Sequence, residues 1–101
     1  MRTLLRISLP HETFNAAVRD GSAAQKMKKI LDEAKPEAAY FTEFDGRRTA
    51  ILVVDVADAS KIPAFAEPWF LTFGADVEFH PAMSPDDLAR ANLDALGKKW
   101  G

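Results

Sequence analysis

Cysteine is absent from this chain of 101 residues. That excludes disulfides, thiolate metal sites and cysteine nucleophiles. Histidine is scarce as well. His11 and His80 are the only two, they lie far apart in sequence, and without thiolates they compose no metal motif. Neither a metal nor a cofactor is therefore expected. Long apolar runs are missing, since nothing approaches the roughly 20 residues a membrane helix needs. Arg2 is followed by only a short apolar run broken by Arg6, which fits no secretory signal. Positive charge is not in excess: 13 basic against 15 acidic residues leave a formal charge of −2. That balance speaks against nucleic acid or an anionic membrane as the main partner. The chain also has no glycine-rich phosphate loop, no serine nucleophile motif, no repeat and no low-complexity tract.

What is present is ordinary for a globular protein, with 48% hydrophobic and 28% charged residues. The length predicts one domain over residues 1–101, able to bury roughly two-thirds of its unfolded surface without staples. A cytoplasmic location is the expectation.

Hydrophobic periodicity orders the chain. Over residues 3–9, Leu5, Ile7 and Leu9 alternate with Leu4, Arg6 and Ser8, the period of a half-buried strand that Pro10 ends. Over residues 12–34 the spacing of Phe14, Ala17, Val18, Met27, Ile30, Leu31 and Ala34 turns helical. Asp20-Gly21-Ser22 interrupts that run. Two helical pieces, the second capped by Ser22, or one helix with a weak joint are the expected outcomes. Residues 37–44 and 47–56 read as strands joined by Asp45-Gly46, the pair favoured in a type I′ hairpin. A two-residue turn sets Phe44 against Arg47, Tyr40 against Ile51, and Glu43 against Arg48 as a favourable charge pair.

Residues 58–73 return to helical spacing through Ile62, Phe65, Ala66, Trp69, Phe70 and Phe73. Pro63 suits a first turn, Pro68 predicts a kink or restart, and Gly74 closes the helix. A last strand follows over residues 75–82. Ser84, Pro85 and Asp87 then announce a C-terminal helix over 84–97, with a capping box at its start. Trp100 is expected to pack.

The order βαββαβ with a tight central hairpin predicts an α+β fold of the ferredoxin-like kind: a four-stranded antiparallel sheet in the order 4-1-3-2, helices on one face, and an added C-terminal helix. Residues 1–82 form the core of that prediction. Alternation turns Leu5, Ile7, Leu9, Ala39, Phe41, Leu52, Val54, Val56, Val77 and Phe79 toward the helices. It turns Leu4, Arg6, Ser8, Tyr40, Thr42, Phe44, Thr49, Ile51, Val53, Asp55, Glu78 and His80 the other way. That second face is too apolar to be a plain solvated surface, and a second copy of the chain is its expected cover.

On this element order, residues 3–82 resemble the dimeric α+β barrel superfamily, in which two ferredoxin-like subunits pack sheet against sheet. The stretches Tyr40-Phe41-Thr42-Glu43, Asp45-Gly46-Arg47-Arg48 and Ala66-Glu67-Pro68 through Glu78-Phe79 also resemble small bacterial members of unknown function. The resemblance implies a homodimer and brings no assigned activity. The superfamily holds cofactor-independent monooxygenases, muconolactone isomerases and small-molecule binders, so fold alone does not select a function.

Chemistry, if present, belongs on the second face. Arg6, Tyr40, Asp55, Glu78 and His80 supply a cation, a phenol, two carboxylates and an imidazole. His80 is the natural proton carrier, with Asp55 or Glu78 as its orienter. Trp69 joins the expected pocket if Pro68 turns it toward a cavity, although Trp69, Phe70 and Phe73 read first as core. The plainer reading makes Arg6 with Glu78 or Asp55 an ion pair at a subunit interface. His11 reads as a solvated turn residue, and Lys26, Lys28 and Lys29 as a solvated helix face. Three functions fit: a homodimeric small-molecule binder with its cavity over the second face, a cofactor-independent oxygenase or isomerase of a small aromatic or ketone-like substrate, and a purely structural or regulatory dimer.

Overall fold

The computed structural model describes residues 1–101. Strand β1 (Arg2–Ser8) leads into helices α1 (His11–Asp20) and α2 (Ala23–Ala34). The hairpin β2 (Ala38–Phe44) and β3 (Arg47–Asp55) follows, then a 3₁₀ turn over Ala59–Lys61, helix α3 (Ile62–Phe73) and strand β4 (Asp76–Pro81). Two short helices, α4 (Pro85–Arg90) and α5 (Leu93–Trp100), complete the chain. This is an α+β architecture with one open antiparallel sheet in the order β2-β3-β1-β4. Read from the other edge, that is the expected 4-1-3-2. The arrangement is compatible with a ferredoxin-like fold, but its element order is not a plain βαββαβ, because the first crossover holds two helices. No helix is long and apolar enough to cross a membrane.

The hairpin register is the one that a two-residue turn dictates. Phe44 pairs with Arg47, Glu43 with Arg48, Tyr40 with Ile51 and Ala38 with Val53. Asp45 and Gly46 have φ of 55° and 76°, the two positive values that a type I′ turn demands. The expected charge pair across it does not close. Glu43 turns back to accept the Gly46 N–H at 3.0 Å, while Arg48 donates to Asn15 at 2.8 Å and stacks over Phe14. Backbone N–H groups at the turn and an amide on α1 outbid a pairing that would be worth only a few tenths of a kcal/mol.

Gly21 divides the first helical run. Its φ of 82° permits the paired bonds from Gly21 N–H to Val18 O and from Ser22 N–H to Ala17 O that close α1. Ser22 does not cap α2 with its side chain, contrary to expectation. Asp20 instead accepts the Ser22 backbone N–H at 2.8 Å. In α3 the helix runs through Pro68 without restarting, and Gly74 (φ 64°) ends it by donating to Phe70 O at 2.9 Å.

The core lies between one sheet face and the helical layer α1–α3. Leu5, Ile7 and Leu9 of β1 and its exit, with Leu52, Val54 and Val56 of β3 and its exit, meet Ala17, Ile30, Trp69 and Phe73. Each large apolar side chain so buried contributes about 1.5–3 kcal/mol of transfer free energy. The expected inward face fails on β2. Ala39 is exposed and Phe41 is 56% exposed, because β2 is an edge strand and the helices centre on β1 and β3. Ile62 and Phe70 of α3 are also partly exposed, so its apolar stripe is wider than the face it buries.

The C-terminal segment departs furthest from expectation. The capping box forms as read, with Ser84 Oγ accepting the Asp87 N–H and Asp87 accepting the Ser84 N–H. The single helix over 84–97 does not. Asn92, at φ 55°, breaks it, and α5 runs on through Gly97 to Trp100. Every residue of α5 is exposed, and Trp100 is 78% exposed rather than packed. The radius of gyration is 16.9 Å and the long axis 59 Å, whereas a compact domain of this length has a radius of gyration of about 13 Å. The α4–α5 arm adds to that extent without burying any of its residues.

Candidate functional site

The outer face of the sheet, opposite the helices, is built in transverse rows by the register. Tyr40, Ile51, Arg6 and Glu78 form one row across β2, β3, β1 and β4. Ala38, Val53, Leu4 and His80 form the next, and Thr42, Thr49, Ser8 and Asp76 lie on the other side of the first. Leu4, Ile51 and Val53 are half-buried by their neighbours and make an apolar floor.

Arg6 dominates this face. It starts on β1 and reaches across β3 to place its guanidinium 4.2 Å from the centre of the Phe44 ring on β2. Thr49, on β3 between those two positions, is only 1% exposed although it faces outward. A cation 4.2 Å above an aromatic face is held by the ring quadrupole. Two acids lie nearby without hydrogen-bond contact: Glu78 Oε2 at 3.8 Å from Arg6 Nε, and Asp45 Oδ2 at 3.9 Å from a terminal nitrogen. Arg6 Nε is shielded from solvent and makes no hydrogen bond. The position of Arg6 is therefore set more by Phe44 than by its ion pairs.

Glu78 serves a second partner. Its Oε1 is 3.0 Å from His80 Nε2, two residues along the same face of β4. An ionised carboxylate only accepts, so Nε2 carries the hydrogen of this bond. The imidazole is thereby oriented by Glu78. Asp55 does not take that role. It sits at the far end of β3, opposite Arg2, where it accepts the Met1 ammonium at 2.9 Å. Strand spacing puts the His80 and Asp55 backbones about 12 Å apart. Arg6 likewise pairs with Glu78 and Asp45, and not with Asp55.

Of the six residues read from sequence as a pocket, the structure brings Arg6, Glu78 and His80 together and sets Tyr40 at the end of the Arg6 row. Tyr40 is 67% exposed there. Asp55 shares the face but stands apart. Trp69 is on the opposite layer, fully buried with the core, its indole N–H without a partner. Sequence reading missed the part played by Phe44 and Asp45. Alternation assigns Phe44 to this face, yet cross-strand rules pair only adjacent strands, and Arg6 meets Phe44 two strands away. The available signal was the length of an arginine whose diagonal neighbour on β3, Thr49, is small, with an aromatic beyond it.

Three hollows of the single chain lie elsewhere. One of about 530 Å³ runs between α2 and α3, lined by Lys26, Lys29, Ile30, Glu33, Pro68 and Leu71. One of about 370 Å³ opens beside Leu9, Phe14, Met27, Phe41 and Arg48. A third, of about 280 Å³, is apolar and sits at the sheet end between Met1, Thr3, Val56, Ile62, Phe79 and Pro81. The Asp87 carboxyl, in the capping box and off this face, is held below the usual carboxylate range by the Ser84 backbone N–H, with the Ser84 hydroxyl and Arg90 adding to the effect.

Comparison with known protein families and with curated proteins gives no match to this chain.

Proposed function

We propose that this protein is a homodimeric small-molecule binder whose ligand sits over the outer sheet face, between ferredoxin-like subunits stacked as in the dimeric α+β barrel superfamily. One observation carries the reading. An uncovered sheet face with an apolar floor holds the guanidinium of Arg6 over an aromatic ring, beside a carboxylate–imidazole pair. Apolar patches of this kind are partner surfaces more often than solvated ones. A pre-placed guanidinium above Leu4, Ile51 and Val53 suits a small aromatic or ketone-like molecule bearing a negative or strongly polar oxygen. The cytoplasm is the proposed location, and neither nucleic acid nor membrane is proposed as a partner.

Light scattering at micromolar concentration tests the dimer, and a strict monomer overturns the proposal. A thermal-shift screen of small aromatic carboxylates and ketones tests the ligand site. Hits should lose their shift in Arg6→Met and keep it in Lys29→Met, which alters only the α2–α3 groove. Hits that bind Arg6→Met unchanged place the ligand elsewhere.

The oriented imidazole favours a second reading, a cofactor-independent oxygenase or isomerase in which His80 moves a proton with Glu78 holding its ring. A compound that binds and is turned over equally by His80→Ala removes it. A dimer whose sheet faces pack with no space between them would instead leave the structural or regulatory dimer.

A further inference from the structure

We infer that the hollow between β2 and helices α1 and α2 is a ligand site of its own, which takes a small alkyl monocarboxylate on Arg48. It lies on the helix side of the sheet, apart from the outer face that carries Arg6, and it needs no dimer. The hollow has a cause in the sequence. Alternation turns Phe41 toward the helices, but its cross-strand partner on that side is Ala50, whose methyl fills little of the space below it. The helical layer packs chiefly on β1 and β3, so Phe41 overhangs and stays 56% exposed. What remains is about 370 Å³, walled by Leu9, Phe14, Met27 and Phe41 with Arg48 beside them. Ligand pockets run from about 300 Å³ upward, and about 150 Å³ suffices for benzene. A six-carbon chain and its headgroup therefore fit.

Arg48 selects the headgroup. Its guanidinium is held from two sides, 4.9 Å from the centre of the Phe14 ring and bonded at 2.8 Å to Asn15 Oδ1. Both neighbours are neutral, and Arg48 forms no ion pair. Its cross-strand neighbour Glu43 is engaged by the Gly46 N–H instead. The remaining guanidinium N–H groups form a fork that matches a carboxylate. Glu43 also narrows the choice. It stands on the same face of the adjacent strand and repels a second negative charge, so a monoanion fits better than a dianion. The walls select the rest of the ligand. Arg48 covers the Phe14 ring, and Phe73 packs tilted against it with centroids 5.2 Å apart. Phe14 therefore leaves little room for a stacked ring, while Leu9 and Met27 present aliphatic surface. An alkyl chain follows such walls through dispersion contacts.

The probes are hexanoate and its neutral isostere hexanamide, titrated by NMR into the full chain with isotope-labelled methionine methyls. Met1, Met27 and Met83 are the three methionines, and of these Met27 alone lines this hollow. Met27→Leu assigns its signal. Hexanoate should shift the Met27 methyl and give nuclear Overhauser contacts from it to the alkyl chain. Hexanamide should bind at least about 10-fold more weakly, and so should hexanoate to Arg48→Met. Arg48 is exposed, so that substitution leaves the core intact. The Met27 response should persist in Arg6→Met. Equal binding of the acid and the amide to the wild type overturns the inference without any variant. A Met27 methyl unmoved by millimolar hexanoate overturns it as well, and so does a response that is kept in Arg48→Met or lost in Arg6→Met. None of these failures removes the ligand proposed for the outer face, which is read from Arg6 alone.

Discussion

The contact between Arg6 and Phe44 can be weighed by a double-mutant cycle. Arg6→Met keeps most of the apolar stem and removes the charge. Phe44→Leu keeps a large apolar side chain and removes the ring. The guanidinium is 4.2 Å from the ring centre and Arg6 is 33% exposed, so the pair lies between an exposed and a desolvated cation–π contact. That predicts a coupling of about 0.5–1 kcal/mol. The competing source is the pair of ion contacts at 3.8 and 3.9 Å, both to acids more than half exposed. Exposed pairs typically contribute only about 0.2–1 kcal/mol, and the lower end applies at these distances. Salt separates the two contributions, because it screens exposed charge pairs more than a cation seated on a ring. Urea denaturation of the four proteins at one fixed concentration, in low salt and again in 1 M sodium chloride (about 3 Å of screening length), measures the coupling. The coupling should persist in high salt, and Glu78→Gln should cost less than the cycle returns. A coupling indistinguishable from zero, or one that vanishes with salt, would mean that Arg6 is placed by its acids and that Phe44 is merely beside it.

Other expectations are simpler to check. Leu52→Ala removes a side chain with no exposure from the centre of β3 and should cost about 2–5 kcal/mol by denaturant titration. Gly46→Ala forces a Cβ onto a residue at φ 76° with nothing near it, so only backbone strain counts. It should lower stability by about 1 kcal/mol, while Asp45→Asn should leave it within about 0.5 kcal/mol. The depressed Asp87 carboxyl has a defined sign: its stabilisation of α4 is complete above the unfolded value, 3.8, and is lost as pH falls through the lower folded value. Amide chemical shifts over residues 85–90 should therefore stay helical at pH 5 and collapse only well below pH 4, and Ser84→Ala should bring that loss to higher pH.

How much of this was legible in sequence depends on the range of the interaction involved. The sheet was readable because alternation and one Asp-Gly turn fix register locally. Once Phe44 faces Arg47, every pair to Ala38 and Val53 follows. The Arg6–Glu78 neighbourhood followed from the topology by the same logic. What failed depended on who competes for a group. Glu43 had a nearer donor in Gly46 N–H, and Asp55 had the Met1 ammonium. Ala39 and Phe41 alternate correctly but belong to an edge strand that the helices leave mostly uncovered. The arm illustrates a different limit. Leu93, Leu96 and Trp100 show a packing stripe, but a stripe does not say which molecule it packs against.

Strand β2 closes one side of the sheet with an outer row of backbone donors and acceptors that no other strand takes up. Along its seven residues Glu43 is the lone charge, and Tyr40, Phe41 and Phe44 all stay exposed. Proteins usually guard such a border with lysine, proline or a bulge. Here a misplaced ribbon from another molecule could extend the ladder, so concentrated or heated preparations should begin to aggregate at β2. A lysine substituted at Thr42 is the smallest change that should delay it.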